Sequence, residues 1–445
     1  MITTFRSNSI SDAAKEIGAG EVSVDELVQK SRREIDRYEA RLKAWVELTD
    51  LSTELASSSA RATNGADQPL RGVSLGVKDI IDVRGLPTRC GSETADPSIR
   101  ENDADCVKRL RDLGAVVQGK TVTTEYGYFA PGSSTNPFSV EHTPGGSSSG
   151  SAAAVGAGTI QCALGTQTAG SLTRPASFSG AAGLVMTQGS TSLKGVHGMS
   201  GSLDSLGIMT RNVEDLDYVY RHFSGRAGEQ SVDPENLSIF IWDGSGLLNL
   251  DPAMSDLLRA VKKIFTDREI RTHRFIWDDH IASLVDDHKT IMSYEAARSL
   301  GAMLKDKRKQ LSPQLQRLLT EGDAATDQMY SEAVFRRDAS YQVFLKIMSR
   351  DSVIIGPAAH GQALRLEEGT GSPELSRPWQ LLGLPVVTVP GASTSTGMPL
   401  GIQLIGNKHN ELTLLRLGKV LEPLLRELPS FSNTQTPSTL KEMKW

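Results

Sequence analysis

From His142 to Thr173 no Asp, Glu, Lys or Arg interrupts the chain, and most of HTPGGSSSGSAAAVGAGTIQCALGTQTAGSLT is Gly, Ser, Ala or Thr. Too few of these residues are large and apolar to build a membrane helix. A solvated tether would have a similar Gly/Ser content. Here buried-type aliphatics alternate densely with the small residues, so the stretch belongs inside a protein, where its backbone approaches something closely. Consecutive N–H groups in the turn GTQTAGS (165–171) can converge on an anion. A serine ending such a turn is placed to act as a nucleophile beside an oxyanion hole.

Composition narrows the class of partner. The 445 residues include 48 Lys+Arg and 53 Asp+Glu, a net charge of −5, which leaves no electrostatic footprint for nucleic acid or an anionic membrane. A small-molecule partner is expected, with no nucleic acid and no membrane. At 38% hydrophobic and 23% charged residues the chain is also neither disordered nor fibrous. Cys90, Cys106 and Cys162 are too widely spaced for a metal ligand set or a disulfide framework, which fits a reducing compartment. The N-terminus, MITTFRSNSISDAAKEIG, lacks the pattern of a targeting segment, so a cytoplasmic address is expected.

The remaining pattern is α/β. Ser23 and Glu26 have capping-box spacing ahead of Val24, Leu27, Val28, Ile35, Tyr38 and Leu42 at helical period. Residues 1–66 are therefore predicted to form a helical segment packed on a core, and 67–445 one large α/β domain, with ATNGADQPLRG (62–72) as the link. In GVSLGVKDIID the alternation of Val73, Leu75 and Val77 with Ser74, Gly76 and Lys78 predicts a strand that ends at Lys78. A helix from Asp105 to Leu113, stopped at Gly114, precedes the strand AVVQG; 237–244 and 351–359 read as buried strands, and 251–265 as a helix with Pro252 at its start. Residues 280–350 are mostly charged and helix-forming.

Two short patterns point elsewhere and fail on context. GAVVQGKT (114–121) matches GxxxxGK[ST], but a phosphate loop follows a strand and opens a helix, whereas here the residues before Lys120 are themselves the strand. GSSSG (146–150) matches GxSxG, which would make Ser148 a nucleophile on a strand-to-helix elbow, yet Pro144 and the glycines before it make a poor strand.

Three segments, GVSLGVKDIIDVRGLPTRCGS (72–92), HTPGGSSSGSAAAVGAG (142–158) and GTQTAGSLTRPASFSGAAGL (165–184), resemble the amidase signature family, with weaker likeness at 202–216 and 377–406. The resemblance implies the amidase signature fold: a single large domain with a mixed, twisted central sheet flanked by helices. It also implies a Lys–cis-Ser–Ser triad of Lys78, Ser147 and Ser171. An oxyanion hole would be made by the N–H groups of Thr168, Ala169, Gly170 and Ser171, with Ser148 in support. Such a triad needs neither metal nor cofactor, because a lysine buried away from water is pushed toward neutrality and can take the serine proton. The implied reaction is hydrolysis of a linear carboxamide or a urea- or biuret-like C–N bond through an acyl-enzyme. A glutaminase component of an amidotransferase and a catalytically silent binding protein are the alternatives. The chain departs from the family pattern at Gln167, where many members are acidic, and at Thr173, where an Arg is usual and Arg174 follows one place later; Ser179, Val185 and Met186 also differ. Tyr126, Tyr128, Phe129 and His142 are expected around the substrate, with the 280–380 region. His197, His222, His273, His280, His288, His360 and His409 are read as core or surface, and a homodimer is expected from the resemblance alone.

Overall fold

A computed structural model describes residues 9–62, 67–226 and 236–432. Residues 63–66 of the expected link, and the chain's two extremities, lie outside the described residues. Among the described residues eleven strands form one mixed sheet. They are β1 (Trp45–Leu48), β2 (Ser74–Lys78), β3 (Val116–Thr121), β4 (Cys162–Gln167), β5 (Ala182–Val185), β6 (Ser205–Thr210), β7 (Ser238–Ile241), β8 (Thr272–Arg274), β9 (Ser352–Pro357), β10 (Val386–Ser393) and β11 (Pro399–Ile405). Their spatial order is β1-β3-β2-β4-β6-β5-β10-β11-β9-β7-β8. The pairs β3–β2–β4 and β8–β7–β9 are parallel, and the strands between them run antiparallel. This is the mixed, helix-flanked sheet the resemblance implies. Strands β4, β9 and β11 are buried along their whole length, which is why they read as near-continuous apolar or small-residue runs rather than alternating ones.

The N-terminal part contributes more than helices. Val28, Ile35, Tyr38 and Leu42 of the helix Val24–Leu42 are buried, and the capping box of Ser23 and Glu26 forms as the spacing predicts. The next residues, Trp45–Leu48, then add β1 to the sheet antiparallel to β3. A four-residue strand carries too little alternation to be recognised beforehand. No described helix is long and apolar enough to cross a membrane.

GAVVQGKT is β3, not a phosphate loop. Lys120 is buried in the sheet, 2.8 Å from the Asp79 carboxylate, and donates to Thr88 Oγ1 and the Pro87 carbonyl.

The uncharged stretch is explained by the helix Ser149–Gly156, every residue of which is buried. It has no apolar stripe, because neighbours surround it on all sides. A side chain at Gly150 would place its Cβ 2.2 Å from the Ala44 carbonyl oxygen and 2.4 Å from the Val122 nitrogen, and one at Gly156 would sit 2.2 Å from the Ser179 carbonyl. Only residues without bulk allow this approach. The charged 280–350 region forms the helices Asp278–Met303, Pro313–Ala324 and Asp327–Ile347, and the first of these reaches the site.

Candidate active site

Parallel pairing of β2 and β4 brings the C-terminal ends of both strands to one place, with Lys78 on the first and Thr166 on the second. Lys78 is fully buried, and its Nζ donates to Ser147 Oγ at 2.6 Å and to Thr166 Oγ1 at 2.8 Å. Burial pushes the ammonium down from 10.5 to about 7, against the opposing pull of Asp204. An amine with that affinity can hold or release a proton at neutral pH.

Ser147 follows a cis peptide bond from Gly146. Its neighbour Ser148 begins the helix Ser149–Gly156 with no strand ahead of it, so the GxSxG elbow is not built. Instead the Ser148 N–H donates to the Ser171 carbonyl at 3.1 Å, tying the two serine segments together. Ser147, Thr168, Ala169, Gly170 and Ser171 line one small cavity. Ser147 is buried, whereas Ser171 is partly exposed.

The turn after β4 is fixed from three directions. Gln167 Oε1 accepts from the Leu172 and Thr173 N–H groups, each at 3.0 Å, while its Nε2 donates to Gln380. An amide oxygen thus does here what a carboxylate would do, so this departure from the family pattern leaves the turn closed. The Thr168 hydroxyl donates to Asp204, a buried carboxyl pushed up to about 6 by desolvation. The Thr168 carbonyl accepts from His288 Nε2 at 2.7 Å, and Arg377 Nη1 donates to His288 Nδ1 at 2.7 Å. A guanidinium only donates, so Nδ1 carries the lone pair and Nε2 the proton. Burial holds the His288 pKa well below 6.5, with the Arg377 charge acting in the same direction.

Arg174 is also buried. Nε donates to the Thr370 carbonyl at 2.6 Å and Nη2 to the Gly146 carbonyl at 2.7 Å, and burial lowers its pKa to about 9, helped by Arg377.

Of the four residues expected around the substrate, Tyr128 and Phe129 line the cavity, with their rings edge to face at 4.8 Å. Tyr126 lines an adjoining cavity that shares Ser147, and its hydroxyl lies 3.0 Å from Thr94 Oγ1. His142 does not join them: its Nδ1 is 2.8 Å from Ser139 Oγ and its backbone bridges to Arg365. Sequence proximity to the Ser loop therefore misplaced it. His288, read from the sequence as core or surface, and Arg174, read only as a displaced family arginine, both reach the site through partners that are distant in the chain or are backbone atoms. Among the described residues no group of three or more His, Cys, Asp or Glu could hold a metal ion.

The model of the family described as Amidase matches residues 26–415. The chain is 29% identical to a glutamyl-tRNA(Gln) amidotransferase subunit of Exiguobacterium sibiricum, over 91% of this chain and 94% of that protein. A solved amidase structure superposes with a TM-score of 0.84 at 27% identity, covering 94% of this chain and 100% of the other. Native peptide amidase from Stenotrophomonas maltophilia does so with a TM-score of 0.79 at 25% identity, covering 96% and 98%. The chain belongs to the amidase signature family, hydrolases acting on C–N bonds.

Proposed function

We propose that the protein hydrolyses a linear carboxamide or a urea- or biuret-like C–N bond through an acyl-enzyme on Ser171. The observation that carries this reading is the buried Lys78 Nζ, 2.6 Å from Ser147 Oγ, behind a cavity that Ser147 and Ser171 share. Ser171 Oγ attacks the carbonyl carbon, and its proton passes through Ser147 to the neutral amine of Lys78. The N–H groups of Thr168, Ala169, Gly170 and Ser171 stabilise the oxyanion. Collapse of the tetrahedral species breaks the C–N bond while Ser147 protonates the departing nitrogen and recovers a proton from Lys78. Water, deprotonated by the same relay, then attacks the ester, releasing the carboxylate and restoring Ser171.

The names of the curated relatives favour a second reading, glutamine hydrolysis within an amidotransferase. Ammonia release from a panel of small amides, ureas and glutamine tests both. Turnover of small amides, lost in Ser171→Ala and in Lys78→Met, is expected. Turnover confined to glutamine would favour the second reading, and turnover surviving in Ser171→Ala would refute the assignment of the nucleophile.

A further inference from the structure

Three buried polar atoms on residues lining the Ser171 cavity have no hydrogen-bond partner among the described residues: Arg174 Nη1, Thr124 Oγ1 and Thr370 Oγ1. Unpaired buried donors are costly, and a guanidinium N–H is more costly than a hydroxyl. The three residues lie close around the serine loops. A Cβ on Gly170 would come 3.0 Å from Arg174 Nη1, and a Cβ on Gly146 would meet the Thr370 and Thr124 methyl groups at 2.9 and 3.0 Å. The other two nitrogens of Arg174 are taken by backbone carbonyls, so the head of the side chain is held in place with one edge left over. None of the described lining residues is Asp or Glu. The charged group that acts most on Arg174 is another cation, Arg377.

We propose that Arg174, with the hydroxyls of Thr124 and Thr370, forms an anion subsite that takes a carboxylate on the acyl part of the substrate. The substrates are then short amides that carry a carboxylate, not neutral or long-chain amides. Placing the carboxylate on the acyl side rests on the reading of Ser171 as nucleophile. Shortness is expected because the cavity beside Ser171 is small and is walled in part by Met199 and Met292, whose flexible side chains can yield to a small group.

The test pairs succinamate with succinamide, and the one-carbon-shorter homologues likewise, in the full chain. Wild type is expected to favour the carboxylated member in kcat/KM by about 10- to 100-fold, the range of one charge-assisted hydrogen-bonded contact. That ratio should collapse toward one in Arg174→Gln, be partly kept in Arg174→Lys, and fall several-fold in Thr370→Val. Because the readout is a ratio within each variant, a general loss of active protein cancels. Succinate should also raise the Tm of wild type and not that of Arg174→Gln. Turnover with a ratio at or below one in wild type would overturn the anion subsite and leave the amidase reading standing. A succinate-dependent Tm rise that Arg174→Gln abolishes, without turnover of any amide, would support the subsite and overturn the amidase reading. Neither turnover nor a Tm rise would overturn both.

Discussion

Replacing His288 by Phe removes one proton donor from a site it never touches chemically. In a trans peptide the carbonyl and the following N–H point in opposite directions. The Thr168–Ala169 bond is trans, so the 2.7 Å hydrogen bond that pins the Thr168 carbonyl to His288 Nε2 also fixes where the Ala169 N–H points. His288 is thus a positioning residue for one donor of the proposed oxyanion hole. Loss of a whole donor of this kind costs about 10²–10³ in kcat. Asp204 still restrains Thr168 through its hydroxyl, so the smaller effect of a loosened donor is expected, about 10- to 100-fold in kcat with KM little changed. The unpaired carbonyl and the freed Arg377 N–H should lower stability by about 1–3 kcal/mol as well. His288→Gln, whose side-chain amide can both donate and accept, should recover part of kcat. Steady-state kinetics on the best amide substrate, with Tm alongside, separates the roles. A lowered Tm with unchanged kcat in the folded His288→Phe protein would refute the positioning argument, as would a loss confined to KM.

Three further expectations follow from the same geometry. With Lys78 near 7, the pH profile of kcat/KM should rise with an apparent pKa of about 7 and fall tenfold per unit below it; a flat profile from pH 5 to 8 would remove Lys78 as the base. Because the Lys78 pKa is depressed in the folded protein, the unfolded chain binds more protons between about 7 and 10.5, so this residue's contribution to stability rises with pH across that window and is a constant penalty below it. Lys78→Met should therefore be inactive yet no less stable at pH 6 by denaturant titration, and a large destabilisation there would mark the lysine as structural. Gly→Ala within a helix ordinarily stabilises, but Gly150→Ala should cost about 2–3 kcal/mol, because its Cβ would overlap the backbone at Ala44 and Val122; an unchanged or raised Tm would contradict the packing of the Ser149–Gly156 helix.

How much of this was legible in the sequence depended on how far apart the interacting residues lie. The strands ending at Lys78 and containing Lys120 announced themselves by alternation and by the glycine that closes the preceding helix, and Lys78, Ser147 and Ser171 lie within the family-like segments. The helix Ser149–Gly156 had no periodicity to find, since it is buried all round, and only its lack of charge marked it as interior. His288 meets Thr168 across 120 positions, and nothing in DDHKT hints at that contact. Arg174 stood out only as a displaced family arginine. That one of its N–H groups is left over became visible once the Thr370 and Gly146 carbonyls were seen to occupy the others.

The proposed mechanism stands on Ser171 as the nucleophile and Lys78 as its base. Labelling the folded protein with a fluorophosphonate and mapping the modified peptide tests it directly. A single adduct on Ser171, lost in Lys78→Ala, is expected. An adduct on Ser148, or none in protein shown to be folded, would contradict it.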